Sequence, residues 1–266
     1  MNTLPKGVYA AEKKDNSIYY RASITYRRKH ISLGSFSTAQ AAHTAYLEAD
    51  SILGKKEITL TSYDENSPLA FEKWVILINF RDNGIYLGTP IYVRPKYFFY
   101  YLSPQQILLF DSDELFFYSS HKIMKRDGHL FVADYGMQVN ILSRYGIRSY
   151  SVPGKDYLFI NGNEGDYRRQ NLKVLNLFAG VKETEKKGKK KFQAKINIPG
   201  YYVIGYYSTA VEAAVAYNKA IDLLKKHGCK RNYTANYIDT LSGSEYADIY
   251  ARLKISPKLE ALTFPG

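Results

Sequence analysis

Two stretches of this chain alternate cationic and hydrogen-bonding side chains with apolar ones. Arg21, Ser23 and Thr25 interleave with Tyr20, Ala22 and Ile24, while Lys191, Gln193, Lys195 and Asn197 interleave with Phe192, Ala194, Ile196 and Ile198. A period of two puts each set on one face of a β-strand, with the apolar set buried and the polar set outward. Arginine and lysine suit phosphate and the guanine edge, and glutamine and asparagine suit adenine, so the chemistry on offer is recognition of a nucleic acid. A third stretch, residues 158–174, reads LFINGNEGDYRRQNLKV. It gathers Asn161, Asn163, Asp166, Arg168, Arg169 and Asn171 behind Leu158 and Phe159, whose side chains can neither accept a proton nor bind a metal.

The elements that must position these residues are limited by the chain as a whole. Its 266 residues allow two or three small domains with real cores. No apolar run approaches the ~20 residues of a membrane span, and the N-terminus lacks a charged-then-apolar signal pattern. Cys229 is the lone cysteine, so no internal disulfide forms, and no Cys/His cluster has zinc spacing. These features point to a cytosolic protein without a membrane partner. The net charge of +12 is segregated: +4 over residues 1–60, +1 over 61–178, +7 over 179–240 and zero over 241–266. Two basic flanks around a near-neutral middle imply a polyanion held at two places.

The two basic flanks repeat one another. Residues 33–49, LGSFSTAQAAHTAYLEA, match 204–220, IGYYSTAVEAAVAYNKA, without a gap. Upstream, residues 20–24 face 192–196, and Gly7-Val8 faces Gly180-Val181. Each copy reads as strands followed by a helix. Ile31-Ser32-Leu33 and Tyr202-Val203-Ile204 are short strands, and Ser37-Thr38 and Ser208-Thr209 are helix N-caps. Ala42, Ala45, Tyr46, Ala49 and Ile52 share one helix face, as do Ala213, Ala216, Tyr217, Ala220 and Leu224. Each module is thus expected to be three antiparallel strands with one helix behind them and a basic outer face.

The Gly-Val pair, the Tyr/Phe-x-Ala-x-Ile strand, the Leu/Ile-Gly-x-Phe/Tyr-Ser-Thr segment and the Ala-Tyr helix resemble the Apetala-type DNA-binding domain of plant ethylene-response factors, also found in homing endonucleases. That resemblance implies that the sheet enters the major groove. By position, its reading face would hold Tyr9, Arg21, Ser23, Thr25 and the Arg27-Arg28-Lys29 turn, and in the second copy Lys182, Lys191, Gln193, Lys195 and Asn197. The family's first strand usually carries arginine where this chain has Tyr9 and Lys182, so its base preference does not transfer. Lys186–Lys191, including Lys190, is a basic turn suited to phosphate or to solvent.

Between the modules the pattern reads as β-rich. Trp74–Ile78, Ile85–Leu87 and Ile91–Val93 look like strands, and Asp82-Asn83-Gly84 like a hairpin turn. Leu102-Ser103-Pro104 reads as a helix or turn entry. The aromatic runs 97–101 and 115–118 suit a core better than base stacking. Residues 130–178 resemble the core of His-Asn-His (ββα-metal) homing endonucleases through Ile160-Asn161-Gly162-Asn163, Asp166, Arg168 and Asn171–Val174. In that family an acid or histidine ligand and a histidine base precede the Ile-Asn-Gly, where this chain has Leu158 and Phe159. The family's loop-bracing asparagine matches Asn171. Its further metal ligand, on a following helix, would fall at Gly180, where the second module has begun. Loss of a general base alone lowers a rate ~10²–10⁴-fold, so the resemblance implies a nuclease frame without activity, with Arg168, Arg169 and Lys173 left for the phosphate backbone. His121 and His129 lie well before the motif and read as loop or core residues.

The expected fold class is α+β: two small modules, each a three-stranded antiparallel sheet plus a helix, flanking a degenerate ββα-metal nuclease-like central domain. The segments are 1–60, 61–178, 179–240 and a tail, 241–266. In the tail Tyr246, Ile249, Tyr250 and Leu253 mark an amphipathic helix that packs on the body or on a second subunit of a homodimer. The expected function is sequence-specific binding of double-stranded DNA by a transcriptional regulator descended from a homing endonuclease. It would be cytoplasmic and nucleoid-associated, of bacterial or phage origin, with neither metal nor cofactor. The alternatives are a nicking endonuclease with an atypical metal site, and a phage-type accessory or inhibitor protein that binds RNA or a nucleoprotein complex.

Overall fold

A computed structural model describes residues 4–148 and 151–264. It shows an α+β protein whose described residues form five small sheets of antiparallel strands. The chain forms two compact units. Unit 1 holds the chain up to Ser143 together with Asn161–Asn171, and unit 2 holds Arg144–Ile160 together with the chain from Leu172.

Unit 1 opens with β1 (Val8–Glu12), β2 (Ile18–Tyr26) and β3 (Lys29–Phe36), paired in that order, followed by α1 (Ala39–Gly54). Thr38 caps α1 by accepting the Ala41 N–H at 3.1 Å. Ala42, Ala45, Tyr46, Ala49 and Ile52 are all buried, in one core with Val8, Ala22, Ile24, Ile31 and Leu33. A three-stranded sheet and one helix leave the helix's far side bare. Here α2 (Phe71–Asn83) packs on α1 and adds Trp74, Leu77, Ile78 and Phe80 to the same core.

That helix corrects the expectation of a strand at Trp74–Ile78. Every residue from Trp74 to Arg81 is buried, so no polar face reveals the helical period, and five successive apolar residues fit a buried strand equally well. The expected hairpin turn at Asp82-Asn83-Gly84 is instead the end of α2. Gly84 adopts the left-handed conformation (φ 72°) and donates its N–H to the Phe80 carbonyl. Ile85–Leu87 is irregular chain rather than a strand. The buried Arg81 holds this end together, donating from Nη1 to the carbonyls of Ile52, Lys55 and Ile58 at 2.6–2.8 Å.

Two further sheets complete unit 1. The first is β4 (Ile91–Val93), β5 (Tyr97–Tyr101) and β6 (Ile107–Asp111); after α3 (Leu115–Ser120) come β7 (Ile123–Arg126), β8 (His129–Asp134) and β9 (Met137–Asn140). Ser103–Gln106 is a turn, with the Gln106 N–H on the Ser103 carbonyl. The aromatic runs build a core in part: Phe98, Tyr100 and Tyr118 are fully buried with Phe110 of β6, whose ring lies 4.3 Å from that of Tyr118, whereas Phe116 is 87% exposed. Burial pushes the Tyr100 hydroxyl up to about 12, and its oxygen accepts the Ile123 N–H at 2.9 Å.

Unit 2 pairs β10 (Tyr157–Phe159) with β11 (Leu172–Val174). It then repeats the first module as β12 (Val181–Lys186), β13 (Lys189–Asn197), β14 (Tyr201–Tyr207) and α4 (Ala210–Lys226). Thr209 and Glu212 form a reciprocal capping box at the start of α4. Two more helices, α5 (Gly243–Arg252) and α6 (Pro257–Glu260), close the unit. Tyr246, Ile249, Tyr250 and Leu253 pack against the core under α4, and Tyr250 donates to Asp222 at 2.9 Å. The tail helix therefore packs on its own unit, in the role α2 has in unit 1.

The two modules share details finer than the strand and helix order. In each, the central and third strands slip register at one place. Ala22 faces Gly34 while Ser23 faces Ser32, and Ala194 faces Gly205 while Lys195 faces Val203. The extra residues, Leu33 and Ile204, are buried in the two cores. Each module also places a left-handed glycine against the helix tyrosine. A Cβ on Gly7 (φ 78°) would lie 2.0 Å from the Tyr46 ring, and one on Gly180 (φ 71°) 2.3 Å from the Tyr217 ring. The carbonyls of these glycines accept the N–H groups of Ser23 and Lys195.

Candidate nucleic-acid interface

The registers decide which outward residues meet. In module one Tyr9 pairs directly with Arg21, and Arg21 with Ser35, so these three form one row across the sheet. Arg21 is held before any partner arrives: its Nε and Nη2 donate to the Tyr19 hydroxyl at 3.1 and 2.6 Å, and it stacks over that ring at 5.4 Å. Thr25 is exposed beside His30. Ser23, expected on the outer face, is only 7% exposed. It sits at the middle of the central strand, directly beside the register slip and opposite Ser32.

In module two Lys182 pairs with Gln193, and Gln193 with Tyr206. Gln193 donates to the Tyr206 hydroxyl at 2.6 Å, and the Lys186 ammonium lies 3.7 Å from the Tyr206 ring centre. Lys191 donates to Ser208 at 3.1 Å, and Lys190 is paired with Glu183 at 2.8 Å. Lys195 and Asn197 continue the same face, opposite Val203 and Tyr201.

The two faces are framed differently. Arg27 and Arg28 form the two-residue turn between β2 and β3, and both have positive φ, 45° and 65°. Such a turn favours glycine or asparagine, and two arginines there cost roughly 1–2 kcal/mol each. Arg27 stacks on Tyr26 and Lys29 on Tyr86. In module two the basic turn, Lys187-Gly188, joins the first and second strands instead. Successive hairpin turns lie at opposite ends of a sheet, so each copy carries its basic tip at a different end.

The stretch 158–174 forms a braced loop. Asn171, 4% exposed, accepts the Asn161 N–H and donates to the Asp166 carbonyl, both at 2.8 Å. Asp166 is buried and receives Arg168 through Nε and Nη2 at 2.9 and 2.7 Å, with Asn161 Nδ2 at 2.9 Å. Burial opposes its charge, but these donors outweigh burial and hold its carboxyl below the usual range. Arg169 meets the buried Glu114 at 3.1 Å and donates its N–H to Asp111. Both arginines expected at phosphate are thus engaged by internal carboxylates.

The positions at which a base and metal ligands were expected, 158, 159 and 180, carry no acid–base group. Leu158 and Phe159 lie on β10 opposite Lys173 and Leu172. A side chain at Gly180 would force its surroundings to shift, because a Cβ would lie 2.4 Å from the Lys195 carbonyl oxygen as well as against Tyr217. The chain passes from β11 to β12 without a helix. His121 stacks on Phe117 at 4.2 Å, and His129 is exposed on β8. Among the described residues no group of three His, Cys, Asp or Glu could hold a metal.

Tyr19, Tyr201 and Tyr206 belong to these faces, and sequence reasoning passed over them. The period of two, extended along β14 from Val203, picks out Tyr201, but the register slip at Ile204 breaks the count before Tyr206. No family model, curated protein or solved structure matches this chain.

Proposed function

We propose that this chain binds double-stranded DNA sequence-specifically through the outer faces of its two sheet modules. We further propose that it acts as a transcriptional regulator derived from a homing endonuclease and does not cut DNA. One observation carries the reading. The same frame, with its register slip, its glycine on tyrosine and its threonine-capped helix, is built twice, and each copy turns a different row of donors outward. Arg21 with Tyr9 makes one row, and Lys182 with Gln193 makes the other. Preserved frames with different outward rows are what two unlike half-sites on one DNA require. Two heads on one chain raise each other's effective concentration when both engage.

The non-cutting reading is supported from two sides. Leu158 and Phe159 supply neither proton acceptor nor metal ligand, and a side chain at position 180 would force its surroundings to shift. The braced loop between them keeps its shape through Asn171 and Asp166, which need no metal.

Selection of bound sequences from random duplex DNA, with Mg²⁺ and Mn²⁺ present, tests both parts. The expected result is one enriched asymmetric sequence and no nicked or cleaved strand. Arg21→Ala should relax the preference at one position and weaken binding by about 1–3 kcal/mol. Failure to enrich any sequence sinks the reading of the faces, and specific cleavage sinks the claim of inactivity.

A further inference from the structure

Two cavities within unit 2, of about 680 and 780 Å³, adjoin through Lys155, Asn176 and Lys182 and make one groove beside the β12–β13 hairpin. Lys155, Lys173, Lys182, Lys195 and Arg231 line it, and none of the five has a carboxylate partner among the described residues. Some cations elsewhere are matched, as Arg168 is by Asp166, Arg169 by Glu114 and Arg252 by Glu212, while others such as Arg21 and Lys191 meet only hydroxyls; what sets the five apart is that they share one concavity. The groove's own carboxylates do little to balance the five. Asp156 accepts the Val152 N–H and the Asn176 amide, Glu183 is taken by Lys190, and Glu185 alone is left. Like charges gathered in one concavity repel unless an anion joins them.

The same groove carries apolar surface that nothing in unit 2 covers. Leu175 is 38% exposed, Leu177 61% and Tyr201 72%. Phosphate alone gives no reason for such surface, whereas the faces of unpaired bases do. Each cavity is of a size that encloses one small ligand, so together they have room for a few nucleotides of one strand.

We propose that this groove binds a short single-stranded stretch of nucleic acid, with its phosphates on the five cations and its bases against Leu175, Leu177 and Tyr201. The inference rests on the reading of this chain as a nucleic-acid-binding protein. It extends that reading to a second kind of site, in which Lys155 and Lys173 lie outside both sheet modules.

The test is fluorescence anisotropy on the full chain. The probes are an oligonucleotide of about 12 residues, as DNA and as RNA of the same sequence, and its DNA duplex. Lys155→Glu with Lys173→Glu should weaken binding of one or both single strands about tenfold or more. The slope of log affinity on log salt should become shallower by about 1.4, as two phosphate contacts are lost. Duplex affinity should fall by a clearly smaller factor, and an equal fall for duplex and single strands overturns a separate single-strand site. Leu177→Ala with Tyr201→Ala should weaken single-strand binding about fivefold or more while leaving the salt slope unchanged. Wild-type protein that binds neither single strand overturns the inference, as does single-strand affinity that both double variants leave intact. Absence of duplex binding by the wild type, with single strands bound, overturns the preceding proposal and leaves this one standing.

Discussion

Gly180 lies against the Tyr217 ring and the Lys195 carbonyl, and what its missing side chain contributes there can be measured. Gly180→Ala meets two costs. A φ of 71° disfavours any residue with a Cβ by roughly 1–2 kcal/mol. The new carbon also falls 2.3 Å from the Tyr217 ring and 2.4 Å from the Lys195 carbonyl, an overpacking worth about 1–3 kcal/mol. Gly188→Ala is the control, because its φ is 69° but nothing lies within 4 Å of the added carbon. Any gain from a stiffer unfolded chain is common to both substitutions and cancels in the comparison. The expected difference is about 1–3 kcal/mol, or roughly 1 M in the urea midpoint of unit 2 followed by far-ultraviolet circular dichroism. Module one offers an independent version. Gly7→Ala should lower the midpoint reported by Trp74, the only tryptophan and a core residue of unit 1. Tyr46→Ala should remove part of that added cost, since its ring supplies the three atoms nearest the added carbon. Equal midpoints for Gly180→Ala and Gly188→Ala would refute the idea that these glycines seat the helix on the sheet.

Three further outcomes follow from the packing. Asn171→Ala removes both braces of the 161–171 loop and should cost about 2–4 kcal/mol in unit 1, with faster amide exchange at Asn161, whose N–H loses its acceptor. The folded-state pKa of Asp166 lies below its unfolded value, so its contribution is complete above about pH 5 and is lost as pH falls through the folded value; the stability gap between wild type and Asp166→Asn, measured by urea unfolding, should therefore shrink between pH 7 and pH 3. Arg81→Met strips three carbonyls of one donor and should destabilise unit 1 by about 3 kcal/mol, read by the urea midpoint of Trp74 fluorescence.

The legible parts of this protein were those whose signals are local. The strand at 20–26 showed its period of two, and the helices beginning after Thr38 and Thr209 showed their caps and alanine faces, because backbone and neighbouring side chains settle those features within a few residues. The pairing of Gly7-Val8 with Gly180-Val181 was also visible, although its reason, a glycine lying on a tyrosine, was not. Helix α2 was hidden because all its sides are buried, which erases the period that separates helix from strand. Charge alone did not reveal that Arg168 and Arg169 each meet a carboxylate within the fold. Their carboxylate partners include Glu114, more than fifty residues away.

The sequence by itself determined that two like modules exist, that each has a polar strand face, and that Leu158 and Phe159 bring no acid–base chemistry. Only the tertiary structure decided which outward residues share a row, because a one-residue slip at Leu33 or Ile204 changes every partner beyond it. It also decided that Ser23 is buried, that the space beside position 180 is filled by a tyrosine ring, and that five cations from residues 155 to 231, without a carboxylate partner among the described residues, line one groove. Local periodicity tells a residue which way to face, but which neighbour it faces is set by register and packing, and those depend on residues far away in the chain.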